Sequence, residues 1–515
     1  MSYCQKASLR RICRETLTHT TAHGISNILR SKSTFQKNCW IVFVIFVITC
    51  MLWQCSELII AFFQYPSQER ITLVNNSKLK FPAVTFCNLN RVRKSLLNSK
   101  YSFLKKELPF LDKDFGSNLT RGTENDHEYS YSLDYALSKL SIENQAEAGH
   151  QLEDMLLSCK FHGSRCDKSF FSTFLHHKFG NCYTFNSLTK MGSRGQLMRR
   201  EVLNATKAGF SYGLVLELFI EQDEYLELLS HAAGLRFIIH DQKDMPFPED
   251  DGVNIPPGQE SDLAIVKVHV HRLKAPYASK CSNGDGIQNY YRDAYNVGYT
   301  REVSNKQYYM ACKKTCGQMH IINNCGCGMW EFPVPKGMNV PFCNITNKDI
   351  KRCVQIFEDM FAHDELDCSC PLQCEEEIFE MTLSSSQWPS AVHMDEFARQ
   401  LKISDGKLAQ VASNRIRDNL VKVIINYQQL NYELIEEAPA IRAIDLVSSI
   451  GGLVGLWIGV SICTVAEFLE LLLEVIIFTV KKRLILYIYC NYYYYYYQLL
   501  LLLLLFVFFY SEMHH

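Results

Sequence analysis

Three glutamates set in an apolar stretch are the residues of this chain whose types and spacing most demand a chemistry. Glu467, Glu470 and Glu474 stand at i, i+3 and i+7 in the segment Ala443 to Val480, which carries no lysine or arginine. On a helix that spacing gathers the carboxylates on one face. A carboxylate in a membrane span is costly unless it faces water, so the chemistry is electrostatic: drawing cations into an aqueous path. Upstream, Gly459-Val460-Ser461 is the natural point for a helix to break, since glycine frees the backbone and serine supplies oxygen. Gly451, Gly455 and Gly459, at i, i+4 and i+8, form a small-residue stripe that lets helices approach closely in lipid. The plainer alternative is a packed membrane helix that tolerates a few acids. The segment has 38 residues. As one helix it would run roughly 57 Å, about twice what a bilayer needs, so it must tilt strongly, break or project.

The elements that position this segment follow from charge and cysteine usage. A second apolar run, Trp40 to Phe63, has no lysine or arginine and only Gln54 and Glu57 near its far end. It is long enough to span a bilayer and starts too late for a cleaved signal peptide, so it reads as an uncleaved signal anchor. Residues 1–39 carry seven basic side chains (Lys6, Arg10, Arg11, Arg14, Arg30, Lys32, Lys37) against Glu15, and Lys481-Lys482-Arg483 follow the second span. The positive-inside rule places both flanks in the cytosol and residues 64–442 outside the cell. Four glycosylation sequons, at Asn75, Asn118, Asn204 and Asn344, all fall in that external block.

Of the 21 cysteines, 14 lie in the same block: Cys87, Cys159, Cys166, Cys182, Cys281, Cys312, Cys316, Cys325, Cys327, Cys343, Cys353, Cys368, Cys370 and Cys374. An even number suits a disulfide framework, whose connectivity spacing alone leaves open. Zinc is the competing use, because Cys312-x3-Cys316, Cys325-x-Cys327 and Cys368-x-Cys370 have metal-ligand density. An oxidising compartment favours disulfides, so no metal and no cofactor are expected. Nine of the 14 crowd between Cys312 and Cys374, which predicts a stapled subdomain rather than a large apolar core. Formal net charge is −1, which gives no basis for nucleic-acid binding. No phosphate loop, Ser/His/Asp arrangement or His-Glu-x-x-His supports an enzyme.

Within the external block, Leu79 to Asn88 reads as a strand with an edge or bend at Pro82, and Val421 to Tyr432 as its counterpart before the second span. Leu214 to Ile220 and Leu235 to Ile239 look like core strands, and residues 95–160 lean to helix. The tail 481–515 is of low complexity, with six tyrosines from Tyr492 to Tyr497 and a leucine-rich run after them. It reads as a gene-model artefact rather than a third span.

These landmarks together resemble the degenerin and epithelial sodium channel superfamily, which includes acid-sensing and peptide-gated channels. The likeness covers roughly residues 14–480 and rests on ordered motifs: Thr21-Ala22-His23-Gly24, Phe81-Pro82-Ala83-Val84-Thr85-Phe86-Cys87-Asn88, Met155-Leu156-Leu157-Ser158-Cys159 and Gly180-Asn181-Cys182-Tyr183-Thr184-Phe185-Asn186. Glu221-Gln222-Asp223-Glu224-Tyr225-Leu226, Cys325-Gly326-Cys327, Trp388-Pro389-Ser390, Leu430-Asn431-Tyr432 and Gly455-Leu456-Trp457-Ile458-Gly459-Val460-Ser461 continue the series. The resemblance implies an acid-sensing-ion-channel-like α+β membrane protein: a trimer whose subunits have two transmembrane helices and a large disulfide-rich mixed α/β ectodomain of finger, palm, thumb and knuckle. The domain boundaries expected are 1–39 cytosolic, 40–63 first span, 64–442 ectodomain, 443–480 pore-lining span broken at Gly-Val-Ser, and 481–515 tail.

Residue roles come from the same likeness. Gly459, Val460 and Ser461 resemble the selectivity belt, His23 and Gly24 the cytosolic gating motif, Ser448 the position where a small residue lets the gate close, and Gly455 the position associated with amiloride block. Glu467, Glu470 and Glu474 then fall in the inner vestibule. The implied disulfides are Cys87–Cys182, Cys159–Cys166, Cys281–Cys374, Cys312–Cys370, Cys316–Cys368, Cys325–Cys353 and Cys327–Cys343. There are departures from the acid-sensing branch. The short loop Glu227 to Gly234 lacks that branch's cluster of acids, so proton activation is not expected. Arg194, Arg199 and Arg200 form no clear furin pattern. The function expected is a sodium-selective, voltage-independent, amiloride-sensitive cation channel subunit in the plasma membrane. Its partners would be sodium ions, membrane lipid and related subunits in a homo- or heterotrimer, with an extracellular peptide or protease as candidate stimulus. The alternative is a ligand-binding accessory or receptor subunit that conducts only with a partner.

Overall fold

The structure, a computed structural model, describes residues 18, 24–108, 123–191, 197–199, 201–227, 229–283, 308–332, 334, 338–345, 347–404, 413–461 and 463–480. In chain order its main elements are α1 (Ile25–Arg30), α2 (Thr34–Phe63), β1 (Ser67–Asn75), β2 (Leu79–Lys80), β3 (Ala83–Asn88), α3 (Thr123–Ser138), β4 (Leu156–Phe161), β5 (Phe171–His176) and β6 (Gly180–Phe185). Then come β7 (Leu214–Phe219), β8 (Leu235–His240), β9 (Gln259–His271), α4 (Tyr308–Cys325), α5 (Lys348–Ala362), β10 (Glu375–Gln387), β11 (Leu420–Pro439) and α6 (Ala443–Ile458). A further helical stretch covers 463–480. The chain forms two compact units, one of residues 1–67 with 439–515 and one of residues 68–438.

The larger unit is built on two sheets. One orders its strands β10-β9-β11-β7-β4 with the short strand Ser164–Arg165 at its end, and β1 also pairs with β11. The other runs Val253–Ile255, β8, β3, β6, β5, every pair antiparallel. Strands β3 and β6 are buried at every position, because neighbours flank them and layers cover both faces. Polar side chains can sit there only if bonded. Thr85 accordingly meets Thr184 Oγ1 and His240 Nε2, each at 2.8 Å. Phe81, Phe86, Phe185, Phe237 and Tyr427 fill the shared core, with edge-on ring contacts between Phe81 and Tyr427.

Local reading and structure part company at three places, the first being the end of the stretch 95–160 read as helix, where residues 156–160 belong to strand β4. Leu79 to Asn88 is not one strand: β2 pairs with Asn204–Ala205, whereas β3 joins the five-stranded sheet. Pro82, which lacks an N–H, separates them. The strand that follows the first apolar helix is therefore β1, whose mostly exposed alternation gave no core signal. Helix α2 also begins at Thr34, six residues before the apolar run at Trp40, since Gln36, Lys37 and Asn38 are compatible with helix though not with lipid.

Candidate functional site

In the smaller unit, α2 is the helix among the described residues that is long and apolar enough to cross a membrane. Helix α6 opens on a reciprocal cap in which the Arg442 guanidinium donates to Asp445 at 2.8 and 3.0 Å and the Arg442 amide donates to the same carboxylate. It ends at Gly459, whose φ of 72° lies in the left-handed region that suits glycine. The Gly459 amide closes the last turn onto the Gly455 carbonyl at 3.0 Å.

Ser461 then starts the lower helix. Its carbonyl accepts the Val465 amide at 3.1 Å, its hydroxyl accepts the Thr464 amide at 3.4 Å, and the buried Thr464 hydroxyl accepts the Ser461 amide at 3.0 Å. The break is thus a C-cap and an N-cap placed back to back, with Val460 between them. The serine oxygen supplied at the break serves as a helix cap. Thr464 is a residue that local reading missed; the signal that could have led to it is Ser461, an N-cap residue type just before an apolar run.

The other expected site residues are placed as follows. Ser448 lies exposed on α6, and Gly455 is half-buried with its nearest neighbour atom, the Val460 oxygen, 3.7 Å from where a Cβ would stand. A Cβ on Gly451 or Gly452 would meet open space, so within one chain the glycine stripe is not a helix–helix seam. Glu467 is half-buried, and Glu470 and Glu474 are exposed on the 463–480 helix. Gly24 is buried at φ 93°, and a Cβ there would lie 2.7 Å from Val44 Cγ2 of α2. His23 lies outside the described residues, as do Asn118, Arg194, Arg200 and residues 481–515. A contact that spacing did not foretell ties the two apolar helices: the Trp457 indole donates to Gln54 Oε1 at 2.9 Å.

In the larger unit, fourteen cysteines are joined as Cys87–Cys182, Cys159–Cys166, Cys281–Cys374, Cys312–Cys370, Cys316–Cys368, Cys325–Cys353 and Cys327–Cys343. Their Cα atoms stand 4.4–6.0 Å apart, within disulfide range. Helix α4 carries three of these staples. Asn75 and Asn204 are exposed and Asn344 is half-buried.

Two charge clusters had no sequence signal, because each draws at least one member from far along the chain. Asp134 on α3, Glu331 and Glu358 on α5 share one region, where Tyr131 donates to Glu358 and Arg91 pairs with Asp134. Burial, then the charges of Asp134 and Glu358, push the Glu331 carboxyl up to about 7.

The second cluster brings His176, His177 and Glu249 within 4.8 Å of one another, a donor set that zinc also uses. The tautomer argues against ligation through His176. The Lys178 amide donates to its Nδ1 at 3.2 Å, so Nε2 carries the proton and faces Glu249 Oε2 at 2.8 Å. A ligating imidazole needs the reverse arrangement. Lys314 holds the other Glu249 oxygen and Asp250 Oδ2. Burial would raise the Glu249 carboxyl, yet hydrogen bonds from His176 and His177 and the Lys314 charge hold it well below the usual range.

Comparison with known proteins adds the following. A family model described as amiloride-sensitive sodium channel matches residues 16–471. The epithelial sodium channel alpha subunit of Xenopus laevis is 27% identical, over 94% of this chain and 84% of that protein. The gamma subunit of Pelodiscus sinensis is 26% identical over 88% and 78%, and acid-sensing ion channel 1A of Danio rerio 29% identical over 90% and 88%. Among solved structures, a proton-activated chloride channel matches at TM-score 0.31 and 5% identity, over 84% of this chain and 97% of that one, too weak a likeness to bear on the fold.

Proposed function

The chain belongs to the amiloride-sensitive sodium channel family, and on that premise we propose that it is a sodium-selective, voltage-independent, amiloride-sensitive cation channel subunit that conducts across the plasma membrane as a trimer. The family consists of ion channels, not enzymes. In this reading α2 and the interrupted helix 443–480 both span the bilayer, both termini are cytosolic, and the external unit carries the gating input.

The observation that carries the reading is the break between α6 and the 463–480 helix. Gly459 and Val460 lie outside both helices, where carbonyls can stand in for the hydration shell of sodium. Ser461 shapes the constriction as the cap of the lower helix. Glu467, Glu470 and Glu474 concentrate cations at the inner mouth, Ser448 lies at the gate, Gly455 takes amiloride, and His23 with Gly24 gates from the cytosolic side. The open space beside Gly451 and Gly452 supports assembly, because a neighbouring copy's helix could approach there.

Expression in oocytes under voltage clamp tests the reading. An amiloride-sensitive sodium current from this chain alone supports a homotrimer. A current only with a related subunit supports a heterotrimer or an accessory role, and absence of current in every combination at normal surface density refutes the channel.

A further inference from the structure

We propose that Gln54 of the first apolar helix is a positioning residue for the ion path, which through the Trp457 indole fixes the rotation of the helical turn ending at Gly459. The inference rests on reading Gly459–Ser461 as the filter. Gln54 is a polar side chain in the far third of an apolar helix, where an unsatisfied amide is costly. Other polar side chains of α2 turn back on their own helix: Thr49 donates to the Ile45 carbonyl at 2.8 Å and Ser56 to the Trp53 carbonyl at 2.7 Å. Gln54 instead crosses to α6 and accepts from Trp457 at 2.9 Å.

The place of Trp457 gives that bond its leverage. Trp457 lies inside the turn that the Gly459 amide closes onto the Gly455 carbonyl, two residues before the left-handed glycine. Rotating the indole away would roll this turn and redirect the Gly459 and Val460 carbonyls. Below the break, the paired bonds of Ser461 and Thr464 hold the other side. The glycine hinge is therefore gripped from both ends, and only the upper grip comes from another helix.

The test uses the full chain at matched surface density, with the sodium-to-potassium permeability ratio as readout. Gln54→Met keeps length and removes the acceptor, and Trp457→Phe keeps a ring and removes the donor. Gln54→Met and Trp457→Phe should each lower the ratio about threefold, the size of a typical hydrogen bond between membrane helices. The double variant should fall no further. An unchanged ratio in either single variant, or additive losses in the double, overturns the proposal.

A second readout needs no current: the rate at which a thiol reagent modifies Cys463, a free, exposed cysteine just below the break, followed by mass spectrometry. Equal rate changes of about threefold in both single variants support the proposal, and rates equal to wild type overturn it. If the wild type carries no current while these rates shift, the filter reading fails and the positioning contact stands.

Discussion

Replacing Gly24 by alanine should cripple opening, and the structure gives two separable reasons. The residue sits at φ 93°, which L side chains rarely adopt, and a Cβ would stand 2.7 Å from Val44 Cγ2, well inside the 3.4 Å at which ordinary contact begins. The backbone term is worth about 1–3 kcal/mol. Overpacking adds a similar order, since a β-branched valine on a helix has one strongly preferred rotamer and yields little. Even about 2 kcal/mol in total shifts the docked population roughly 30-fold. Macroscopic sodium current, normalised to surface-labelled protein, should therefore drop by at least about tenfold. Val44→Ala in the same chain relieves the steric part only, so recovery should be partial. Full current in Gly24→Ala, or complete rescue by Val44→Ala, would refute the reasoning, the second because it leaves nothing for the backbone to do.

Other substitutions probe the remaining assignments. Ser448→Phe should raise basal current, and equal or lower current in surface-expressed protein would move the gate away from α6. Ser461→Ala removes the cap hydroxyl, which should cost about 1 kcal/mol at the helix start and alter the sodium-to-potassium permeability ratio; an unaltered ratio would place the filter elsewhere. Thiol titration after denaturation should find the fourteen cysteines of the larger unit oxidised, and reactive thiols among them would reopen the zinc reading. The Glu331 carboxyl, folded at about 7 against an ordinary 4.5, holds a proton that the unfolded chain releases, so its contribution to stability is present at low pH and lost as pH rises from 4.5 to about 7. Thermal unfolding of the solubilised chain should then show a gain between pH 7.5 and 5 of order 3 kcal/mol that Glu331→Gln removes, and identical pH slopes for the two proteins would contradict this.

The residues that local reading placed correctly are those whose physics acts over one or two turns. Gly459 breaks a helix because only glycine accepts its φ cheaply, and the apolar run of α2 stands out from its charged flanks wherever it is read. Leu214–Phe219 and Leu235–His240 were legible as strands because their apolar, β-forming residues stand in short bounded runs. Where the outcome depended on a partner, the same signals failed. Thr464 carried no reading until it was placed against Ser461, and Leu79 to Asn88 looked like one strand until its halves found different sheets.

By itself, then, the sequence determined the two apolar stretches, the charge bias of their flanks, the cysteine count and the point at which the second stretch breaks, all set by composition and short-range sterics. Only the tertiary structure decided which cysteines lie within bonding reach, that Asp134, Glu331 and Glu358 share one region, and that Gln54 meets Trp457 across 403 residues of chain. The physical reason is range. Propensity and hydrophobic period act between near neighbours along the chain, whereas hydrogen bonds and charges act over a few ångströms of space and stay unassigned until the chain has closed on itself.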